Sequence, residues 1–114
     1  MPFINTKYSS DITPEQENQI KTALGTAVQA IGKTESWLML GFEPNCSMYF
    51  KGEKSEKIAF VEVSSFGTAK TSSAYNKLTE DICNTLNFVL GVPFDHVYVK
   101  YSTTEHWGWN GGNL

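Results

Sequence analysis

Apolar residues recur along the chain with two different periods, and the switches between them mark the elements. Phe3 to Thr6 is a short β-prone run. Thr13-Pro14-Glu15-Gln16 then supplies a capping residue, a first-turn proline and a glutamine that can bond back to the cap, the start signature of a helix. Ile20, Leu24, Ala27, Val28 and Ile31 follow at helical spacing, and Gly32 stands in the C-cap role. Trp37 to Phe42 is apolar and no longer than a strand. The order then repeats. Ile58 to Phe66 is a strand, Leu78, Ile82, Leu86, Val89 and Leu90 lie at helical spacing, Gly91 and Pro93 are the stop, and Val97 to Tyr101 closes the chain's regular structure.

A duplicated β-α-β unit is the simplest reading, and helical crossovers of this length permit parallel pairing of the strands they join. The expected fold class is α/β (α+β by some schemes), a four-stranded sheet with both helices on one face. The strands Trp37 to Phe42, Ile58 to Phe66 and Val97 to Tyr101 read as apolar at both alternating phases, whereas two helices cover one face only. The second face is therefore expected to meet another subunit. Ser47 to Phe50 and Trp107-Gly108-Trp109 are spare β-prone pieces that could add to a neighbour's sheet edge.

Composition narrows the function classes. A chain of 114 residues is the length of one domain, residues 1–114. Nine Lys plus Arg against twelve Asp plus Glu give a net charge of −3, and the lysines are scattered, which argues against nucleic acid as a partner. No apolar run is long enough to span a bilayer and no leader pattern opens the chain, so the expected location is cytoplasmic, with any exit by a non-classical route. Cys46 and Cys83 are far apart and read as free thiols. His96 and His106 lack partners at ligand spacing, so no metal is expected.

The chain resembles the macrophage migration inhibitory factor (MIF) and D-dopachrome tautomerase family over nearly its whole length. The matching residues are Met1-Pro2, Asn5-Thr6, Gly32-Lys33, Ser65-Phe66-Gly67 where the family has Ser-Ile-Gly, Asp95-His96-Val97-Tyr98-Val99 and Trp107-Gly108-Trp109-Asn110-Gly111. Each is weak alone, but their order and spacing together are specific. The resemblance implies a homotrimer with a site at each subunit interface. Pro2 and Lys33 would come from one chain, with residues matching Tyr98 and Trp109 around the pocket, partly from the neighbour. It also implies a cofactor-independent phenylpyruvate tautomerase or dopachrome isomerase activity on a small aromatic 2-keto acid or dopachrome-like substrate. The alternative is an MIF-like cytokine with a vestigial pocket, whose partner would be a cell-surface receptor.

Each implied site residue also has a plainer reading. A free Pro2 would be a secondary amine, which burial keeps neutral and basic; otherwise it is a small residue that lets the initiator methionine be removed. Lys33 either depresses the Pro2 pKa and pairs with a substrate carboxylate, or simply complements a helix C-terminus. Phe66 lines the pocket or fills strand core. Tyr98 can polarise a carbonyl oxygen or pack mid-strand. Trp109 forms an aromatic wall with Trp107 and Phe66, or stiffens an edge. Lys100 stands where the family commonly has asparagine and would add a second cation at the rim. Ile58-Ala59-Phe60-Val61 replaces the CxxC of some vertebrate members, so thiol redox activity is not expected.

Overall fold

The strand that opens the chain, β1 (Pro2–Tyr8), alternates strictly between buried and part-buried side chains. Pro2, Ile4, Thr6 and Tyr8 face one way and Phe3, Asn5 and Lys7 the other, the two-residue period of a pleated strand. β5 (Ala59–Phe66) repeats the alternation, with Ala59, Val61, Val63 and Ser65 buried. The computed structural model describes residues 1–114.

Helix α1 (Pro14–Ala27) begins as its sequence predicts. The Gln16 N–H donates to Thr13 Oγ1 at 3.2 Å and the Thr13 N–H donates to Gln16 Oε1 at 3.0 Å, a reciprocal capping box. A 3₁₀ turn, Val28–Ile31, continues α1 as far as Gly32. Helix α2 (Ser72–Leu90) is capped by Thr71, whose side chain accepts the Ala74 N–H, and ends at Gly91. Gly32 and Gly91 both sit at φ 72° and ψ 22°, a left-handed conformation that costs glycine little. The same backbone device therefore ends both copies of the unit.

β2 (Met39–Glu43) pairs parallel with β1, and β6 (Val97–Thr104) pairs parallel with β5. β1 and β5 join the two units antiparallel, giving the order β2-β1-β5-β6. The helices contribute Ile20, Leu24, Leu78, Ile82 and Leu86 to one buried cluster with Ile4, Val61 and Val63. That cluster lies between the helices and the face of the sheet that carries the buried strand positions.

Three expectations change in detail. Trp37 does not begin a strand: it closes a 3₁₀ turn, Glu35–Trp37, because its N–H bonds locally to Thr34 O and the next N–H bonds to Glu35 O. The open sheet face is not uniformly apolar. It interleaves Phe3, Phe60, Phe66 and Tyr98 with Asn5, Lys7, Glu62, Ser64 and Lys100, as the cross-strand register requires. The two spare β-prone pieces pair within the chain, as the hairpins β3 (Tyr49–Phe50) with β4 (Glu53–Lys54) and β7 (Gly108–Trp109) with β8 (Gly112–Asn113).

Two α2 side chains test where the stability resides. Leu78 is 0% exposed and Phe88 is 86% exposed. Leu78→Ala should lower the unfolding free energy by about 2–5 kcal/mol, and Phe88→Ala should change it by no more than about 0.5 kcal/mol. Urea titrations at one protomer concentration measure both, and equal shifts would contradict this assignment of the core.

Candidate active site

Pro2 is buried at the start of β1, with Ser65 of β5 as its cross-strand partner. A proline is tolerated there because the first residue of a strand need not donate to the ladder. Ahead of it, the Met1 carbonyl accepts the Phe66 N–H at 3.3 Å. Phe66 is thus held by the chain's first peptide.

Lys33 reaches the same residue from the other side. The left-handed Gly32 turns the chain out of the 3₁₀ segment, and the Lys33 N–H returns to Val28 O at 3.1 Å. From that anchored backbone the Lys33 Nζ donates to Phe66 O at 3.0 Å. Three elements therefore meet at one residue, Phe66: the N-terminus of β1, the end of the first helical segment and the end of β5. The Gly67 N–H then donates to Thr104 O at 2.8 Å, which fixes the end of β6 beside them.

The electrostatics of this corner are one-sided. Burial, and then the charge of Lys33, push the chain-end amine of Met1 below its usual range. Burial, and then the charge of Lys70, push the Lys33 ammonium down. A cation beside an amine makes protonation harder, so the neutral, basic form of the amine persists to lower pH.

Trp109 lies on the hairpin that follows β6. Its ring meets Trp37 edge-on, with centroids 5.2 Å apart. The two indoles are 48% and 51% exposed, an aromatic surface left open to solvent. Trp37 is a site candidate that the sequence reading did not single out; the only signal was a third tryptophan shortly after Gly32-Lys33.

Tyr98 and Lys100 are not brought to Pro2 within the chain. Across the sheet, Pro2 pairs with Ser65 and Ser65 with Thr103, whereas Tyr98 pairs with Phe60 at the opposite end of β6. Five residues of strand and two strand spacings separate them, about 19 Å between backbones. Tyr98 is 64% exposed on the open face, where Phe50 of β3 meets it edge-on at 5.5 Å. Lys100 is exposed opposite Glu62 and forms no ion pair.

A groove of about 700 Å³ between the helices, lined by Thr26, Gln29, Lys77, Asp81 and Thr85 among others, contains none of these residues. No group of His, Cys, Asp and Glu side chains is gathered as metal ligands. No helix is long and apolar enough to cross a membrane.

The family described as macrophage migration inhibitory factor (MIF) matches residues 1–114. Among solved structures, Leishmania major MIF2 is similar at TM-score 0.92 and 30% identity, covering 100% of this chain and 97% of that one. The macrophage migration inhibitory factor of Toxoplasma gondii is similar at TM-score 0.85 and 20% identity, covering 98% and 99%. A homologue from Prochlorococcus marinus is similar at TM-score 0.83 and 25% identity, covering 97% of each chain. No curated protein matches significantly.

The coupling between Lys33 and the chain-end amine can be measured directly. Lys33→Gln removes a positive charge and should move the pH midpoint of amine labelling upward, read by mass spectrometry of the N-terminal peptide. An unchanged midpoint would show that Lys33 does not act on that amine.

Proposed function

The chain belongs to the macrophage migration inhibitory factor family, and from that premise we propose that it is a cofactor-independent keto-enol tautomerase. Pro2, freed by loss of Met1, is its general base and acid. The observation that carries this reading is the Lys33 ammonium, fixed on Phe66 O; burial first, and then that charge, hold the chain-end amine below its usual range.

While Met1 remains, the Pro2 nitrogen is an amide with no basicity. Its removal leaves a secondary amine at a buried position next to Lys33, under the same two influences that lower the Met1 amine. That neutral nitrogen takes a proton from the carbon beside the substrate's carbonyl. The C–H bond breaks, its electron pair forms the carbon–carbon double bond, and the carbonyl oxygen gains negative charge and then a proton. Reversal of the same steps returns the keto form, so no electrons leave the substrate and no cofactor is required.

Lys33 has two further N–H donors for the carboxylate of a 2-keto acid. Trp109 and Trp37 offer the wall for an aryl group. Tyr98 polarises the carbonyl oxygen from a neighbouring subunit, since its own chain holds it too far from Pro2. Lys100, two residues further along the same exposed strand face, adds a cation at the rim. This division of labour needs a homotrimer, and the apolar members of the open face, Phe3, Phe60 and Tyr98, supply surface for it to bury. A small aromatic 2-keto acid such as phenylpyruvate is the substrate class.

Intact mass should show the chain without Met1, and ultraviolet absorbance should then show the enol of phenylpyruvate converted to the keto form. Pro2→Gly should lower kcat/KM by about 10²–10⁴, the usual worth of a positioned acid–base group. Equal rates for wild type and variant would remove Pro2 from the mechanism. In the wild type kcat/KM should rise with pH through the lowered amine pKa and then level, because only the neutral amine acts as base. Sedimentation should give three times the 12.7 kDa chain mass, and a monomer that is fully active would contradict the shared site.

A further inference from the structure

Tyr98 is 64% exposed on the open sheet face, while its neighbours Val97 and Val99 pack on the core side. That packing fixes its backbone but not its ring, since a strand residue commonly takes either of two χ1 rotamers. The hydroxyls of Tyr8, Tyr75 and Tyr101 have hydrogen-bond partners within the chain, whereas that of Tyr98 has none. Within the protomer, what orients this phenol is contact with its ring.

The contact comes from the hairpin of β3 and β4. Lys51 and Gly52 join these strands with φ 54° and 79°, the mirror-image two-residue turn whose twist matches that of paired strands. A lysine is disfavoured at positive φ and persists there where its surroundings hold it. Of the two β3 residues, Tyr49 is exposed and Phe50 is part-buried. The Phe50 ring lies 5.1 Å from the His96 imidazole and 5.5 Å from the Tyr98 ring, and it meets Tyr98 at 79°. Both separations are those of favourable aromatic pairs, and the second has the edge-to-face geometry. Lys51 Nζ lies 5.5 Å from the centroid of the same ring. His96 is itself fixed: it ends the 3₁₀ turn Phe94–His96, its N–H donates to Pro93 O at 3.0 Å, and its Nδ1 lies 2.8 Å from Asp95 Oδ1. Phe50 is therefore wedged between a rigid turn and the exposed phenol.

We propose that Phe50 is a positioning residue, whose ring holds Tyr98 in the one rotamer that serves the neighbouring subunit's site. This role rests on the tautomerase reading, whereas the aromatic contact is independent of it. Charge builds on the substrate's carbonyl oxygen only as the enolate forms, so a misaimed phenol loses transition-state stabilisation and lowers kcat rather than raising KM.

Phe50→Leu keeps an apolar side chain and removes the ring, and Phe50→Tyr restores an aromatic one. With phenylpyruvate, Phe50→Leu should lower kcat about fivefold, the scale of one aromatic pair, with KM little changed, and Phe50→Tyr should recover it. The fall should vanish in a Tyr98→Phe background, which has no hydroxyl to aim. An equal fall in that background, or a fall carried by KM, would overturn the proposal. A second readout needs no activity. In NMR spectra of protein with isotope-labelled tyrosine, the χ1 couplings of Tyr98 should be those of one rotamer in the wild type and should average in Phe50→Leu. The same couplings in both proteins would refute the positioning role. If the wild type converts no enol while the couplings respond as expected, the tautomerase reading fails and the aromatic restraint on Tyr98 stands.

Discussion

One hydrogen bond organises the functional corner, from the Lys33 ammonium to the carbonyl of Phe66. It depends on elements distant in sequence. Gly32 must be left-handed for the chain to leave the first helical segment in the right direction, and β5 must end where the first peptide of β1 can accept the Phe66 N–H. An ammonium held in this way, partly shielded from water, acts on a neighbouring amine more strongly than a mobile surface lysine would. The chemistry proposed for Pro2 follows from that placement: a base is made by withholding protons from an amine, and the withholding agents are burial and a fixed positive charge.

The elements that were legible in the sequence are those whose local chemistry and long-range packing agree. Thr13 to Gln16 predicted a helix start that the capping box realises, and Gly32 and Gly91 predicted two helix ends that share the same dihedral angles. The parallel pairing within each unit followed from the crossover helices. Trp37 was misassigned to a strand because an apolar run of that length fits a strand and a turn alike, and only the local bonds to Thr34 and Glu35 decide between them. The composition of the open face was misjudged because Glu62, Ser64 and Lys100 alternate with Phe60, Phe66 and Tyr98, and register alone assigns them to one face.

Of the site residues, Pro2, Lys33 and Phe66 are gathered by the protomer and Trp109 is joined by Trp37 on an exposed aromatic surface. Tyr98 and Lys100 lie at the far end of the sheet. Linear sequence carries no signal for that separation; it emerges only when strand register places Phe60, and not Ser65, beside Tyr98. Under the proposed shared site, a second copy of the chain would cover the half-apolar open face and bring its own Tyr98 to Pro2.

The central claim is that the site is shared between subunits, and mixing two inactive variants tests it most directly. Pro2→Gly chains keep Tyr98, and Tyr98→Ala chains keep Pro2. Unfolded together and refolded as mixed oligomers, they should regain a measurable part of the wild-type rate with phenylpyruvate, because some interfaces then pair an intact Pro2 with an intact Tyr98. Activity no greater than the sum of the two separately refolded variants would contradict a shared site.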